Sequence, residues 1–177
     1  GQMKISDTDI RYAFFDEVYA IASKDADVLF MTADMGALSL NRFKADLSSQ
    51  YFNVGVAEQN LISVAAGLAL GGKNVFVYTI APFATQRCYE QIKVDLCGIR
   101  LPVTIIGSGP GITYSSDGLT HHATQDVAVM RALPGMTILN PADSVSAAAA
   151  ARLAYSSEGP VYVRIDKGKL PLLYDKN

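Results

Sequence analysis

The chain reads as an α/β domain: a mostly parallel sheet of about six strands, with helices on both faces in a three-layer sandwich. Three observations predict this. Short apolar runs alternate with longer segments of helical character along the chain. Polar or glycine-bearing loops follow the apolar runs, and in parallel sheets such loops gather ligands at the strands' carboxyl ends. Half of the 177 residues are hydrophobic, which is enough for a substantial core.

The elements follow in order. Residues 7–24 form an amphipathic helix with Ile10, Ala13, Phe14, Val18 and Ile21 on one side and Ser6 or Asp7 as its cap. Val28–Met31 is a short buried strand that runs into the polar turn 32–36. Tyr51–Val54 is a second strand. From Glu58 to Leu70 the chain is almost wholly apolar, too long for a strand and suited to a buried helix that Gly71-Gly72 ends. Asn74–Tyr78 is the third strand, 84–97 a long helix, and Pro102–Ile106 the fourth strand. A glycine-rich loop covers 107–118, then a short helix covers 125–133. Met136–Leu139 is the fifth strand, a helix runs from Asn140-Pro141-Ala142-Asp143 through 155, and Val161–Ile165 is the sixth strand.

Composition bounds the function. Fifteen basic against seventeen acidic residues give a net charge of −2 and no basic stripe, which argues against nucleic acid as a partner. No apolar run reaches the ~18 residues of a membrane span, and no signal peptide opens the sequence, so the expected setting is the cytoplasm. Met3 reads as a start and Gly1-Gln2 as a tag remnant, leaving 3–177 as a single domain. The two cysteines, Cys88 and Cys97, make no zinc or disulfide framework. With a mean hydropathy of +0.19 the chain is apolar for its size, which predicts an oligomer.

Several residues could carry chemistry. Glu58 stands just after Gly55 and opens the most apolar helix, where desolvation raises a carboxyl pKa and the helix N-terminus lowers it. Opposed effects of this kind suit proton sharing near neutral pH, although a first-turn glutamate that only complements the helix dipole fits the position too. His121 and His122, the only histidines, share a loop with Asp117 and could hold hydroxyls or move protons; an exposed loop is the plain alternative. No further ligand has zinc-site spacing, so no metal site is expected. Gly107-Ser108-Gly109-Pro110-Gly111 is not a dinucleotide fingerprint, and no Walker pattern occurs. Tyr78, Phe83 and Tyr89 flank the turn after the third strand, where an aromatic could stack on a planar ligand or simply pack. Lys167, after the sixth strand, could meet an anion.

Taken together the loops are more specific than any one of them. Phe52-Asn53-Val54-Gly55-Val56-Ala57-Glu58-Gln59-Asn60 with its apolar helix resembles the glutamate segment of the transketolase family, and Arg87-Cys88-Tyr89-Glu90-Gln91-Ile92 resembles the helix that follows. Asp117-Gly118-Leu119-Thr120-His121-His122 resembles the Asp-Gly-x-Thr-His segment of transketolases and 1-deoxyxylulose 5-phosphate synthases, and Asn140-Pro141-Ala142-Asp143 the turn after it. Order and spacing agree from about Ala33 to Gly168 with the pyrimidine-binding domain of thiamin diphosphate enzymes.

The resemblance implies roles. Glu58 would hydrogen-bond the cofactor's pyrimidine nitrogen and favour the imino tautomer, whose imino group takes the proton from the thiazolium carbon. Phe83 is the candidate for stacking on the pyrimidine, with Asp34 and Arg87 near the cofactor. Asp117, His121 and His122 would face sugar hydroxyls. Arg164 and Lys167 match an Arg-x-x-Arg-Gly segment whose second basic residue binds substrate phosphate; here that residue is a lysine, a point charge without a bidentate fork. Gly109 stands where transketolases usually carry a histidine. The Gly-Asp-Gly…Asn motif that holds diphosphate and Mg²⁺ is absent, so those groups would sit on a partner domain or subunit, in a homodimer or heterotetramer. The implied activity is ketol transfer between sugars or sugar phosphates. A deoxyxylulose-synthase-like or 2-oxoacid dehydrogenase beta-type component, or a non-catalytic α/β interaction module, are the alternatives.

Overall fold

A computed structural model describes residues 4–175. The proposed start at Met3 and the Gly1-Gln2 remnant lie outside the described residues. Six strands form one sheet: β1 Val28–Thr32, β2 Tyr51–Asn53, β3 Asn74–Ile80, β4 Val103–Ser108, β5 Thr137–Leu139 and β6 Val161–Ile165. Their spatial order is β2-β1-β3-β4-β6-β5, and every neighbouring pair is parallel. The sheet is therefore wholly parallel, and every strand delivers its following loop to the same edge.

Period-two alternation divides the core. Val75 and Val77 of β3 and Ile105 of β4 pack with Leu61, Ile62 and Ala65 of α3 (Glu58–Leu70) on one face. Phe76, Tyr78 and Ile106 point to the other face, against Phe14 and Val18 of α1 (Ile10–Ala22) and Ala147 and Ala151 of α7 (Ser144–Tyr155). The small side chains of α7 let it lie close to α1. The three-layer arrangement expected from the sequence is the one observed.

The differences have local causes. Helix α1 starts at Ile10, not at 7, because Asp9 is its cap: the Asp9 carboxylate accepts the Arg11 amide at 2.9 Å. Ser6, one of the expected caps, instead donates its hydroxyl to Ser144. A helix α2 (Leu40–Asp46) fills part of the stretch left unassigned; its Leu40 and Phe43 are buried. The expected helix 84–97 begins earlier and is broken. Pro82 sits in the first turn of α4 (Ala81–Thr85), a favoured place for proline. Cys88 then leaves helical geometry before α5 (Tyr89–Gln91) continues as a π-helical segment, Ile92–Cys97. The helix expected at 125–133 is the shorter α6 (Asp126–Arg131). Strands β3 and β4 run two residues beyond their expected ends. No helix among the described residues is long and apolar enough to cross a membrane.

Asp143 ties α7 to the far end of the chain. Its carboxylate accepts the Ser146 amide at 2.8 Å, while its amide donates to the Ser146 hydroxyl at 3.0 Å, a reciprocal cap. The second oxygen accepts the amides of Leu173 and Tyr174 at 2.8 and 3.0 Å. Burial acts to raise this carboxyl's pKa, but the bonds from Ser146, Leu173 and Tyr174 outweigh it and hold it below the usual range. A depressed folded value contributes stability above the unfolded carboxyl pKa and loses it as pH falls through the folded value. D143A is expected to destabilise the domain by about 2 kcal/mol at pH 7. In urea unfolding the gap to wild type should narrow as pH is lowered toward 3; a gap independent of pH would show that the charge contributes nothing.

Candidate functional site

The polar loops meet at the carboxyl edge of the sheet. Glu58 arrives there because β2 ends at Asn53 and the turn 54–57 leads directly into α3, with Gly55 at φ +76° reversing the chain. Asn53 organises this turn and the one after β1. Its Oδ1 accepts the amides of Asp34 and Gly55 at 2.9 and 3.0 Å, and its Nδ2 donates to the Asp34 carboxylate at 3.2 Å. Asp34 itself adopts a positive φ of 53°, a region that aspartate tolerates better than most residues.

Glu58 is only 3% exposed. Arg87 answers its charge: Nη1 donates to both carboxylate oxygens, at 3.1 and 3.2 Å. The break between α4 and α5 puts Arg87 in reach, and the Gln59 side chain donates to its carbonyl at 3.2 Å. The guanidinium also lies over the Phe83 ring, 3.9 Å from its centroid. Phe83 meets His121 edge to face at 5.0 Å. Glu58, Arg87, Phe83 and His121, drawn from the loops after β2, β3 and β4, therefore form one continuous group. Val56, Ala57, Gln59 and Asn60 join Glu58 and Arg87 around a hollow of about 350 Å³. Cys88, next along the chain from Arg87, is buried, and burial and then the Glu58 charge push its thiol up to about 12.

The other expected residues divide. His121 Nδ1 pairs with the Thr120 hydroxyl at 2.9 Å. Lys167 carries its ammonium over the Tyr114 ring at 4.5 Å, and Tyr114 stands 6.3 Å from the His121 ring, so Lys167 joins the group through Tyr114. Asp117 closes a 3-10 turn and faces solvent. His122 is half-buried, and its Nε2 has no hydrogen-bond partner among the described residues. Arg164 is turned inward: its Nε donates to the buried Asp126 at 2.8 Å, and Tyr162 donates to the same oxygen at 2.7 Å. Among the described residues no cluster of His, Cys, Asp and Glu could hold a metal ion.

Sequence reading missed Asn53, Asp126 and Tyr114 as site-building residues. Asn53, two residues before a turn glycine, carries a signal of its own, because asparagine commonly accepts the amide two residues on. Asp126 and Tyr114 carry none; Arg164 lies 38 residues from Asp126, and Lys167 lies 53 residues from Tyr114.

Comparison with known proteins shows the family and the fold. Residues 6–171 match the family described as transketolase, pyrimidine binding domain. The chain is 37% identical over 168 residues to an apulose-4-phosphate transketolase subunit of Phocaeicola vulgatus, covering 94% of this chain and 54% of that one. It is 38% identical over 165 residues to the 6-deoxy-6-sulfo-D-fructose transketolase subunit of a Clostridium species, covering 93% and 51%. Among solved structures, a split gene transketolase described as an inactive beta4 tetramer superposes with a TM-score of 0.84 at 32% identity, covering 94% of this chain and 54% of that one. The chain thus spans about half the length of the curated relatives it matches. On its sequence and its sheet, this chain belongs to the transketolase family, as a transketolase pyrimidine-binding domain.

Proposed function

We propose that this chain supplies the pyrimidine-holding half of a thiamin diphosphate site in a split transketolase. A diphosphate- and Mg²⁺-binding partner completes the site, and the assembly moves a two-carbon ketol unit between sugars or sugar phosphates. The observation that carries the reading is Glu58: a carboxylate only 3% exposed, held at the start of an apolar helix and answered by a single guanidinium nitrogen beside the Phe83 ring. A buried acid next to an aromatic face fits a flat, basic heterocycle such as an aminopyrimidine. When bound, thiamin diphosphate supplies an electron sink for breaking carbon–carbon bonds next to a carbonyl. With that group bound, the Glu58 carboxyl would hydrogen-bond the pyrimidine ring nitrogen and the Phe83 ring would stack on the pyrimidine. Asp34, on the turn shared with Asn53, borders the cofactor. His121, Asp117 and His122 receive the sugar hydroxyls, and Lys167 receives an anionic end group. The low exposure of Asp126's partner Arg164 supports a bracing part for that arginine beside the substrate.

Partner dependence draws support from relatives named as transketolase subunits and from exposed apolar side chains in and after β1 and β2. Val56 is 72% exposed, Leu38 74% and Phe52 41%, a surface suited to burial against a second protein.

Calorimetric titration of thiamin diphosphate with Mg²⁺ tests the half-site. No binding to this chain alone and saturable binding after mixing with its diphosphate-binding partner is the expected result; a complex that binds no cofactor would refute it. E58Q is expected to lower turnover of the assembly by about 100-fold or more while leaving assembly and thermal unfolding near wild type. Full activity in E58Q would remove Glu58 from the chemistry. Turnover with a 2-oxoacid donor and release of carbon dioxide would favour the deoxyxylulose-synthase or dehydrogenase type instead.

The Glu58–Arg87 pair has its own test in the isolated chain. R87M leaves a buried carboxylate without a counter-charge and is expected to cost about 2 kcal/mol, less than a fully buried pair because the guanidinium is 44% exposed. E58Q/R87M should be more stable than R87M. Additive effects in urea unfolding would mean that the pair is uncoupled.

A further inference from the structure

Tyr114 lies in the segment after β4, at the departure from the transketolase pattern. Gly109 has φ +83°, and a Cβ placed on it would fall inside the contact distance of the Tyr114 ring. Glycine at 109 thus meets two demands at once: a left-handed backbone and room for this ring. The ring is held on several sides. Its hydroxyl lies 3.1 Å from the Ser108 hydroxyl, inside the sheet edge. The His121 imidazole meets it edge-on at 6.3 Å, and the Lys167 ammonium stands 4.5 Å from its centroid. The surrounding backbone is pinned too. Gly111 and Ala123 close the loop with an antiparallel bridge, and the Thr113 hydroxyl donates to Asp166 at 3.1 Å, fastening this loop to the one that carries Lys167.

The cations at the carboxyl edge are not equivalent. Arg87 is paired with Glu58 and Arg164 with Asp126. Lys167 has no carboxylate within ion-pair distance among the described residues; the face of Tyr114 is what orients it. A lysine on a free four-carbon stem loses rotamer freedom when it grips an anion, and an aromatic face that already holds it removes part of that loss.

Resting on the function proposed above, we propose that Tyr114 is a positioning residue for substrates with an oxyanion end group, a phosphate or a sulfonate. Its ring, seated over Gly109, sets the separation between the Lys167 ammonium and the His121 imidazole. A ketose whose anionic end and hydroxyls match that separation binds at both points. The ring face does this work, and the hydroxyl only anchors the ring to Ser108.

The assay uses the chain assembled with its diphosphate-binding partner, thiamin diphosphate and Mg²⁺. The donors are fructose 6-phosphate, 6-deoxy-6-sulfofructose and fructose. In Y114A the preference for either anionic ketose over fructose, as a ratio of kcat/KM, is expected to fall about tenfold, through KM with kcat within about threefold. Inhibition by inorganic phosphate should weaken in parallel. Y114F keeps the ring and should stay within about threefold of wild type. If Y114A does not fold, Y114L keeps bulk without a π face and carries the same expectation. A phosphate-only loss would assign the site to phosphate esters and a sulfonate-only loss to sulfosugars; both support the proposal. Equal losses on anionic and neutral donors, or Y114F as impaired as Y114A, would overturn it. Where the wild-type assembly binds cofactor and turns over ketoses yet the variants leave the preference unchanged, this inference alone falls. Where the wild-type assembly binds no cofactor, the functional reading falls and this one with it.

Discussion

A carboxylate removed from water at the start of an apolar helix is the constraint around which this molecule is arranged. Glu58 is 3% exposed, and the helix it opens buries Leu61, Ile62, Ala65, Ala66 and Ala69. An ionised acid in such a place needs a counter-charge, because desolvation without one costs several kcal/mol. The counter-charge comes from the next strand's loop, and it arrives only because the helical stretch after β3 is broken at Cys88. A continuous helix through 84–97 would place Arg87 by helical periodicity alone. The π-helical turn that follows is the counterpart of this break, and such insertions collect at functional sites.

The wholly parallel sheet then explains why so few residues need to be placed well. Each strand ends at the same edge, so the loops after β2, β3, β4 and β6 converge without long excursions. Rigidity is added by side chains that bond to other parts of the chain. Asn53 joins two loops through three hydrogen bonds, and Asp126 fixes Arg164 and Tyr162 from below. Burial and the neighbouring Asp126 charge both push the Tyr162 hydroxyl upward, so it remains a donor throughout the physiological range.

The sheet was legible in the sequence because its strands are short apolar runs between turn residues, and the long buried helix because its apolar character is continuous. Local competition was harder to read. Asp9 prevailed over Ser6 and Asp7 as the cap of α1 because its carboxylate also binds Arg11 and the Gly168 amide, a partner 159 residues away. The break in 84–97 left no sign in periodicity, since the buried Ala84, Cys88, Ile92 and Leu96 keep a spacing of four across it. Helix α2 was hidden by its short length. Glu58, Phe83 and His121 were marked by their loops, and the structure brings them together; what pairs them was invisible, because Arg87 could be assigned to the neighbourhood and not to the carboxylate.

The cations show how side chains of like charge are held differently by their surroundings. Arg87 and Arg164 each answer a carboxylate that is almost fully buried, and a weakly hydrated guanidinium suits that task. Lys167 has no carboxylate partner among the described residues, and an aromatic face holds it without neutralising its charge. Had Lys167 met a carboxylate, its charge would already be compensated and an incoming anion would have to displace that partner. A face of π electrons orients the ammonium at a smaller electrostatic cost, and it leaves the charge directed outward. Gly109 makes this possible, because only a residue without a side chain lets the ring reach the lysine. The placement of Lys167 at this edge of the sheet therefore depends on a missing side chain as much as on the charged ones.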